Sequence, residues 1–403
     1  MKNLKYMAVA ALLACGALNA SAKDNVEYVD PFIGTTNFSI CNPGAIRPHG
    51  LMSVVPFNVM GSDLNVQDKD KRWWSACYEY NNKYFTGFAH VTLSGVGCPE
   101  MGTLLTMPTS GELCVDYRSY GSEYKNETAR PGYYSTMLTK YGIKCEVAST
   151  MRSSIERYTF PKGKGNLLFN LGNGLTNEIG ASLRRVSDTE FEGTRLLGTF
   201  CYNPQAVFPM YFVVRVSKKP AAYGMWKKQP AFGNAQAQWD SDQGKYKLYT
   251  RYAREISGDD IGFWFTYDNV DENEQIMVQV GVSFVSCENA RMNLEAEQTG
   301  FNFDKVRANA VARWNSDLSR IKVEGSSLRQ NNLRLRHSDA LHRHGGICRH
   351  NKRLRVRISH ILRRTYHNTS RNERDLFPCI KHSCQIINCC VRVRTSHAFY
   401  ECR

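Results

Sequence analysis

Apolar and polar residues alternate through the middle of the chain, between about residue 145 and about residue 295. Segments rich in Val, Ile, Phe and Tyr are bounded there by Gly, Pro, Asn and Asp, as β-strands are. No helical period separates these segments, and the pattern favours an all-β fold, a large antiparallel β-sandwich. The predicted strands are Ser154–Phe160, Asn166–Asn170, Val207–Ser217, Tyr246–Tyr252, Ile261–Tyr267 and Gln275–Ser286.

A helical period replaces this alternation after residue 300. Apolar residues then recur every three or four positions, which is the spacing of one helix face. Asn302 suits the N-cap position and Asp304 the first turn. We therefore predict a linker helix within 301–326, after a sandwich domain that spans 23–300. Its buried face would consist of Val306, Ala310, Trp314, Leu318 and Ile321.

The segment GFAHVTLSGVGCPEMG, residues 87–102, begins as a strand and ends in small residues. Side chains alternate between the two faces of a strand, so one face would be apolar and suited to a core. The opposite face would be a polar lining directed at a hydroxylated ligand. The apolar set is Ala89, Val91 and Leu93, and the polar set is His90, Thr92 and Ser94.

Positive charge is concentrated at the carboxy-terminal end of the chain. Residues 328–403 hold 17 Lys and Arg against 4 Asp and Glu, whereas residues 1–327 hold 35 against 33. The body is therefore nearly neutral, and its charge gives no indication of nucleic-acid binding. The basic end uses 15 Arg and only 2 Lys, and it holds 8 of the 10 histidines.

This basic tail has three interpretations. It could bind nucleic acid, although an exported protein rarely meets it and no known basic-helix or zinc-finger pattern occurs. It could bind a metal through His382 and nearby cysteines, but their spacings are not those of tetrahedral sites. We favour out-of-frame translation after a frameshift near residue 327, because no apolar period is sustained there. On this interpretation residues 327–403 form a largely disordered tail.

The first 22 residues have the pattern of a secretory signal peptide. Lys2 and Lys5 precede the apolar run Met7–Leu13, and Ala20–Ala22 provides a small-residue cleavage site. The run is too short to span a bilayer, and no later segment reaches that length, so we predict no membrane span. The alternative is a lipobox that leaves a lipid anchor at Cys15. Both alternatives predict a secreted protein in the periplasm or cell envelope of a bacterium.

Three clusters in the amino-terminal part combine glycines with polar and aromatic residues: Asp30–Thr35, Asn42–Gly50 and Trp73–Tyr80. Glycines let a backbone approach a ligand closely, and Arg47 supplies a rigid fork of donors. Tryptophan rings suit the C–H faces of a pyranose. The clusters therefore indicate a polyhydroxylated ligand. Structural roles are the alternatives, with one tryptophan in the core and His90 as a hydrogen-bonded structural histidine.

Four separated stretches resemble the amino-terminal half of glycoside hydrolase family 92. They are DPFIGT (30–35), NPGAIRPHGLMSVVP (42–56), GFAHVTLSGVGCPEMGTLLTMPTSGEL (87–113) and the helix ending RWNSDLSRIKVEG (313–325). The likeness covers residues 23–326 and keeps the motifs in the family's order. It departs at His49, where the family pattern has Phe, and at Thr92, where a second histidine is common.

The resemblance implies an exported, calcium-dependent exo-α-mannosidase that inverts the anomeric centre and acts on α-mannosides of N-glycans. In that family a β-supersandwich packs on an (α/α)6 barrel. A Glu serves as general acid and an Asp as general base, about 6.5–9.5 Å apart. Ca²⁺ engages mannose hydroxyls. The carboxylates and the calcium ligands lie mainly in the barrel, and the sandwich contributes sugar contacts.

No barrel motif is recognisable after the linker, so the resemblance assigns neither a catalytic residue nor a metal ligand to this chain. We expect the chain to be inactive alone, with a mannose-containing glycan as its partner; the sequence indicates no oligomeric state. The alternative function is a free-standing carbohydrate-binding module. By position in the matching motifs, the substrate-binding candidates are Gly44, Arg47, Trp73, Trp74, His90, Ser94, Gly95, Gly97 and Cys98.

Overall fold

The structure, a computed structural model, describes residues 24–36, 41–59, 76–94, 101–175, 177–198, 207–231, 240–250 and 253–320. The described residues form two large antiparallel sheets and a few helices. The predicted signal peptide and the basic tail both lie outside these ranges. The antiparallel β-sandwich expected from the sequence is confirmed.

The first sheet has eight strands, and its strand order interleaves distant parts of the chain. In spatial order the strands are β1 Ala45–Ile46, β2 Ser53–Phe57, β4 Gly87–Thr92, β5 Met101–Ser110, β10 Gly163–Asn170, β17 Ile261–Val270, β14 Ala222–Ala231 and β15 Asp240–Thr250.

The second sheet has ten strands. In spatial order they are β16 Glu255–Gly258, β11 Asn177–Arg185, β12 Glu190–Gly198, β13 Val207–Val216, β18 Glu274–Ser283, β9 Ser153–Phe160, β8 Ile143–Ser149, β7 Tyr133–Leu138, β6 Ser122–Arg130 and β3 Tyr84–Phe85. All six strands predicted between residues 145 and 295 are present, with ends displaced by a few residues.

Aromatic residues from both sheets pack together between them. Phe88 of β4 stacks with Tyr158 of β9, with ring centroids 6.4 Å apart. Farther along the sandwich, Phe263 of β17 lies between Phe169 of β10 and Phe191 of β12, at 4.4 and 4.3 Å. Because these rings are fully buried and belong to a continuous apolar cluster, they form the core between the sheets.

Helices cover part of the outer face of the ten-stranded sheet. Besides a 3-10 helix at Asn25–Tyr28, the structure contains α1 Tyr117–Tyr120, α2 Cys287–Glu297 and α3 Phe303–Leu318. Helix α2, which the sequence pattern did not predict, is capped by Ser286 and lies against β18. The contact is so close that a Cβ at Gly281 would lie 2.5 Å from the Ala290 carbonyl oxygen.

The predicted linker helix is confirmed as α3. Its N-cap is Asn302, whose side chain accepts a hydrogen bond from the Lys305 amide, and its buried side chains include the predicted Val306, Ala310, Trp314 and Leu318. Phe303 and Val306 pack on Tyr133, Ala148 and Ile155 of the ten-stranded sheet. Ile321, the last residue of the predicted face, lies outside the described residues.

Within the described ranges, none of the helices combines the length and the apolar character needed to cross a membrane.

Candidate functional site

The motifs singled out in the sequence meet where β1, β2 and β4 lie side by side. Ala45 of β1 pairs with Val54 of β2, which pairs in turn with His90 of β4. Gly44 is required at its position, since a Cβ there would lie 2.5 Å from the Val54 carbonyl oxygen. The loop around residues 42–50 is therefore pressed against the strand that neighbours the 87–102 motif.

Hydrogen bonds tie the end of β4 to the start of β2. The Thr92 amide donates to Ser53 Oγ at 2.7 Å, and the two hydroxyls lie 2.9 Å apart. Met101 pairs with Thr92 across the next strand boundary. The described residues on either side of segment 95–100 are thus fixed at this end of the eight-stranded sheet.

The third motif reaches the same region through Cys77. Gly102 has a φ of +68° and faces Cys77 so closely that a Cβ would lie 2.6 Å from the Cys77 Sγ atom. The Leu175 amide also donates to the Met101 carbonyl at 3.2 Å. Described residues from four parts of the chain, at 44–54, 77, 90–92 with 101–102, and 175, consequently lie close together here.

Several buried polar side chains in this region have no hydrogen-bond partner among the described residues. Arg47 is half-buried and its Nε is enclosed, while Ser94 is 7% exposed and its Oγ is unpaired. Asn42 is 2% exposed; its Oδ1 accepts from the Gly44 amide at 3.2 Å, but its Nδ2 is unpaired. Buried polar groups usually have partners, and these three side chains each have a polar atom without one among the described residues. Asn42 is not among the contacts that the sequence predicts.

His90 does not belong to a polar lining, and that prediction is wrong. The side chain is fully buried and faces the space between the sheets. Its Nδ1 donates to the Leu104 carbonyl at 2.7 Å, and its Nε2 lies 2.7 Å from Glu156 Oε1 of the opposite sheet. Both ring nitrogens are therefore engaged, as expected of a structural histidine. Thr92, at 9% exposure, is also occupied by Ser53 rather than free for a ligand.

The buried partners of His90 could not be identified from sequence spacing. Glu156 also accepts from the hydroxyls of Thr106 and Tyr158 through its other oxygen. These residues come from β5 and β9, so the network joins both sheets. The strand signal around Glu156 was visible, but the pairing spans 66 residues and depends on the topology.

The remaining candidates from the sequence lie outside the described residues. They are Trp73, Trp74, Gly95, Gly97 and Cys98. The positions of Gly44, Arg47 and Ser94 agree with one shared region, and their contact with sugar stays a prediction.

A second network of polar side chains lies near β6. Glu127 follows Asn126, which has a φ of +58°, at a bulge where the pairing with β7 shifts register. The hydroxyls of Tyr78 and Tyr134 both donate to Glu127 Oε1, at 2.9 and 2.7 Å. Burial raises the pKa of Glu127 above its ordinary value, although both hydrogen bonds and the charge of Lys83 oppose the rise.

No group of three or more His, Cys, Asp or Glu side chains within the described ranges could hold a metal ion. The calcium expected from the resemblance has no protein ligand assigned in this chain.

Comparison with protein families identifies two matches. The Glycosyl hydrolase family 92 N-terminal domain matches residues 28–283, and the Glycosyl hydrolase family 92 catalytic domain matches residues 289–339. The second match contains most of α2 and all of α3. It also continues past Ser327, near which the sequence analysis had predicted a change of reading frame.

Individual relatives are distant but extend over most of the chain. A protein from Arthroderma benhamiae described as an uncharacterized secreted glycosidase is 25% identical over 333 residues, which are 76% of this chain and 39% of the relative. A family GH92 alpha-mannosidase from Bacteroides thetaiotaomicron, solved with mannoimidazole, is 25% identical with a TM-score of 0.65, and the match covers 81% of this chain and 41% of that one.

A second solved structure from Bacteroides thetaiotaomicron, a family GH92 inverting mannosidase, has a TM-score of 0.64 at 19% identity and shares the fold. That match covers 80% of this chain and 40% of the other. The chain spans about two fifths of the length of these proteins.

Proposed function

This chain belongs to glycosyl hydrolase family 92, and we propose that its sandwich is the amino-terminal domain of a secreted α-mannosidase, where it supplies contacts to a mannose-containing glycan. The family assignment supports a glycosidase. The mannoimidazole bound to one similar structure supports a mannose-type ligand. The relative described as secreted supports export of this protein. In the proposal, residues 1–22 are the signal peptide that directs this export.

The observation that carries this proposal concerns the motif loops, which are residues 42–50 and the described residues 93–94 after β4. These loops lie beside neighbouring strands and carry unpaired polar groups. Asn42 precedes β1, Arg47 follows it and Ser94 follows β4, so an amide, a guanidinium and a hydroxyl flank the paired strands β1, β2 and β4. A pyranose offers several hydroxyls that can pair with such groups. Because the side chains are partly or fully buried and held by short loops, they would bind a sugar with little loss of conformational entropy.

The reaction that we propose for the family member is hydrolysis with inversion. Inversion requires one carboxylic acid to protonate the leaving oxygen and one carboxylate to activate water, at a separation of about 6.5–9.5 Å. We assign neither role within this chain, because the resemblance places both carboxyls in the catalytic domain. In this proposal the role of the described residues is to bind and orient the sugar.

Calcium belongs to the proposal only through the family resemblance. When bound, Ca²⁺ would supply hard-cation coordination of sugar hydroxyls. The resemblance places most of its ligands in the catalytic domain. No step assigned to this chain depends on the ion.

Binding of mannose oligosaccharides to the purified 403-residue chain tests the sugar contacts. Ligand-observed NMR suits the weak binding of a partial site, and we expect dissociation constants near the millimolar range, corresponding to about −4 kcal/mol. Arg47→Ala should weaken binding about tenfold, because it removes charge-assisted donors to the sugar. Arg130→Ala, at an exposed position in β6, is the matched control and should leave binding unchanged.

Two results would contradict the proposal. If the wild-type chain and Arg47→Ala bind the sugar equally well, the motif loops do not contact the sugar. Turnover of an α-mannoside by the 403-residue chain would overturn the placement of both carboxyls in the catalytic domain. Micromolar binding in calorimetry would instead favour the free-standing carbohydrate-binding module.

A further inference from the structure

A shallow groove of about 390 Å³ lies at the β3 edge of the ten-stranded sheet. Its volume is within the range of small-molecule sites and is sufficient for a pyranose. None of the sugar-contact candidates named above lines it. The lining residues are Tyr84, Gly121, Ser122, Glu123, Thr139 and Lys140.

The aromatic wall of this groove is held in a fixed orientation. Tyr84 lies against the backbone of Gly121 so closely that a Cβ at residue 121 would be 2.1 Å from the Tyr84 Cε1 atom. Its hydroxyl donates to the Arg118 carbonyl at 3.2 Å. A ring supported by a glycine and anchored at its far end is preorganised, so a ligand that stacks on it need not immobilise it.

The register of the sheet places a carboxylate beside this ring. Tyr84 and Glu123 are direct partners across β3 and β6, so their side chains share one face about 5 Å apart at Cβ. The exposed Glu123 carboxylate has neither a hydrogen bond nor an ion pair within the described ranges. Because Thr139 donates to the Glu123 carbonyl from both its amide and its hydroxyl, at 2.9 and 3.0 Å, it lies next to that residue.

The groove also has a positively charged lining residue. Lys140 Nζ donates to the Ser119 carbonyl at 2.7 Å, which holds the ammonium group at the groove. The groove therefore combines one aromatic ring, one carboxylate acceptor, one ammonium donor and the hydroxyls of Tyr84, Ser122 and Thr139. Its formal charges cancel, so it suits a neutral polyol better than an anion or a cation.

We infer that this groove is an accessory site for a pyranose sugar, separate from the loops that carry the proposed function. One sugar C–H face would lie on Tyr84, and adjacent hydroxyls would donate to the two oxygens of Glu123. The site would retain a glycan on the sandwich while another part of the glycan occupies the motif loops. The expectation that the sugar is mannose rests on the proposed function.

Titration of the full chain with methyl α-mannopyranoside, followed by ligand-observed NMR, tests this inference. Tyr84→Ala should weaken binding at the groove about tenfold, because the stacking platform is lost. Tyr84→Phe keeps the ring and should remain within about twofold of wild type. Glu123→Gln should weaken binding about threefold, because a neutral amide accepts hydrogen bonds less strongly than a carboxylate. Lys125→Ala, an exposed change in the same strand, is the matched control.

The variants separate this inference from the proposed function. Binding that Arg47→Ala weakens and that neither Tyr84→Ala nor Glu123→Gln affects would overturn the accessory site and leave the proposed function intact. Binding sensitive to Tyr84 and Glu123 but not to Arg47 would support the accessory site and count against the motif loops. Absence of any sugar binding would overturn the accessory site. If Tyr84→Ala fails to fold, Glu123→Gln decides the outcome.

Discussion

His90 and Glu156 join the two sheets through fully buried side chains whose Nε2 and Oε1 atoms are 2.7 Å apart. Replacing Glu156 by Ala leaves His90 without this partner in the core and should lower the free energy of unfolding by about 3 kcal/mol. His90→Ala should have a similar cost. The double variant should cost clearly less than the sum, because the second change removes a group that is already unpaired. Urea denaturation of the four proteins measures these differences.

If the double variant costs as much as the sum of the two single variants, His90 and Glu156 stabilise the fold independently. Thr106→Val is a useful comparison, because Thr106 contacts the other oxygen of Glu156 and does not contact His90 directly. Its cost should be about 1 kcal/mol, as for loss of one buried hydrogen bond.

The raised pKa of Glu127 makes the free energy of unfolding depend on pH, and the direction of its pKa shift gives the sign of this dependence. Because burial raises the pKa of this carboxyl in the folded chain, the folded state binds its proton more tightly than the unfolded state does. Its contribution is therefore most favourable at acid pH and is lost as the pH rises through the folded-state pKa. Glu127→Gln should become progressively more stable relative to wild type as the pH rises from about 4, the unfolded-state pKa, through the raised folded-state pKa.

Denaturant unfolding at several pH values measures this difference, with Glu123→Gln in the same strand as the control. Gln retains an oxygen that can accept from Tyr78 and Tyr134, so the comparison isolates the charge. Parallel pH profiles for wild type and Glu127→Gln would contradict the assignment.

At the scale of elements, the sequence pattern predicted regular strands well and irregular ones poorly. The alternation around Val280 identified β18, and the apolar spacing around Trp314 identified α3. The same reasoning assigned the wrong role to His90 in β4. There Val91 has a φ of +56° and the pairing with β5 shifts register, which breaks simple alternation. A polar residue can also be buried when its hydrogen-bond partner lies in the opposite sheet. The alternation pattern alone cannot distinguish such a residue from one on the surface.

Helix α2 was missed for a related reason. Only Ala290 and Leu294 of this helix are buried, so its apolar stripe is too narrow to produce a clear period. Gly281 permits a close contact between β18 and α2, and a tertiary contact of this kind cannot be predicted from the local sequence pattern. For the candidate site, the sequence singled out the residues around 42–50 and 87–94 as ligand contacts, which stays a prediction. That these residues lie on neighbouring strands follows from the strand order and could not be read from the sequence.

Helix α3 supports the first motif loop, and this predicts an effect across elements. Trp314 Nε1 donates to the Ile46 carbonyl at 2.7 Å, directly before Arg47. Trp314→Phe removes this donor and should lower the free energy of unfolding by about 2 kcal/mol. Amide hydrogen exchange should also become faster in residues 45–54, because β1 loses an anchor.

Trp226→Phe provides a matched control for that experiment. Trp226 is fully buried, and its Nε1 has no hydrogen-bond partner within the described ranges. The change therefore removes ring volume without removing such a bond. Equal acceleration of exchange at residues 45–54 in both variants would show that general destabilisation, rather than the Trp314 bond, controls the motif loop.

At the scale of the whole molecule, the packed sheets and the two longer helices predict a protease-resistant body. The core between the sheets is continuous from β2 to β18, and α3 is fixed to it by Phe303 at one end and Trp314 near the other. The sequence predicts the opposite for residues 327–403, which lie outside the described residues. Their many arginines also make them a good substrate for trypsin.

Limited trypsin digestion of the intact chain, followed by mass spectrometry, distinguishes the two parts. Cleavage requires local opening of a segment, so the carboxy-terminal end should be cut at least about tenfold faster than the body. The resistant product should retain α3, since that helix packs on the sheet and is anchored to Ile46. Digestion in denaturant is the control and should remove the difference in rate. Protection of the arginine-rich end under native conditions would contradict the frameshift interpretation and would extend the folded structure beyond the sandwich and its linker helix.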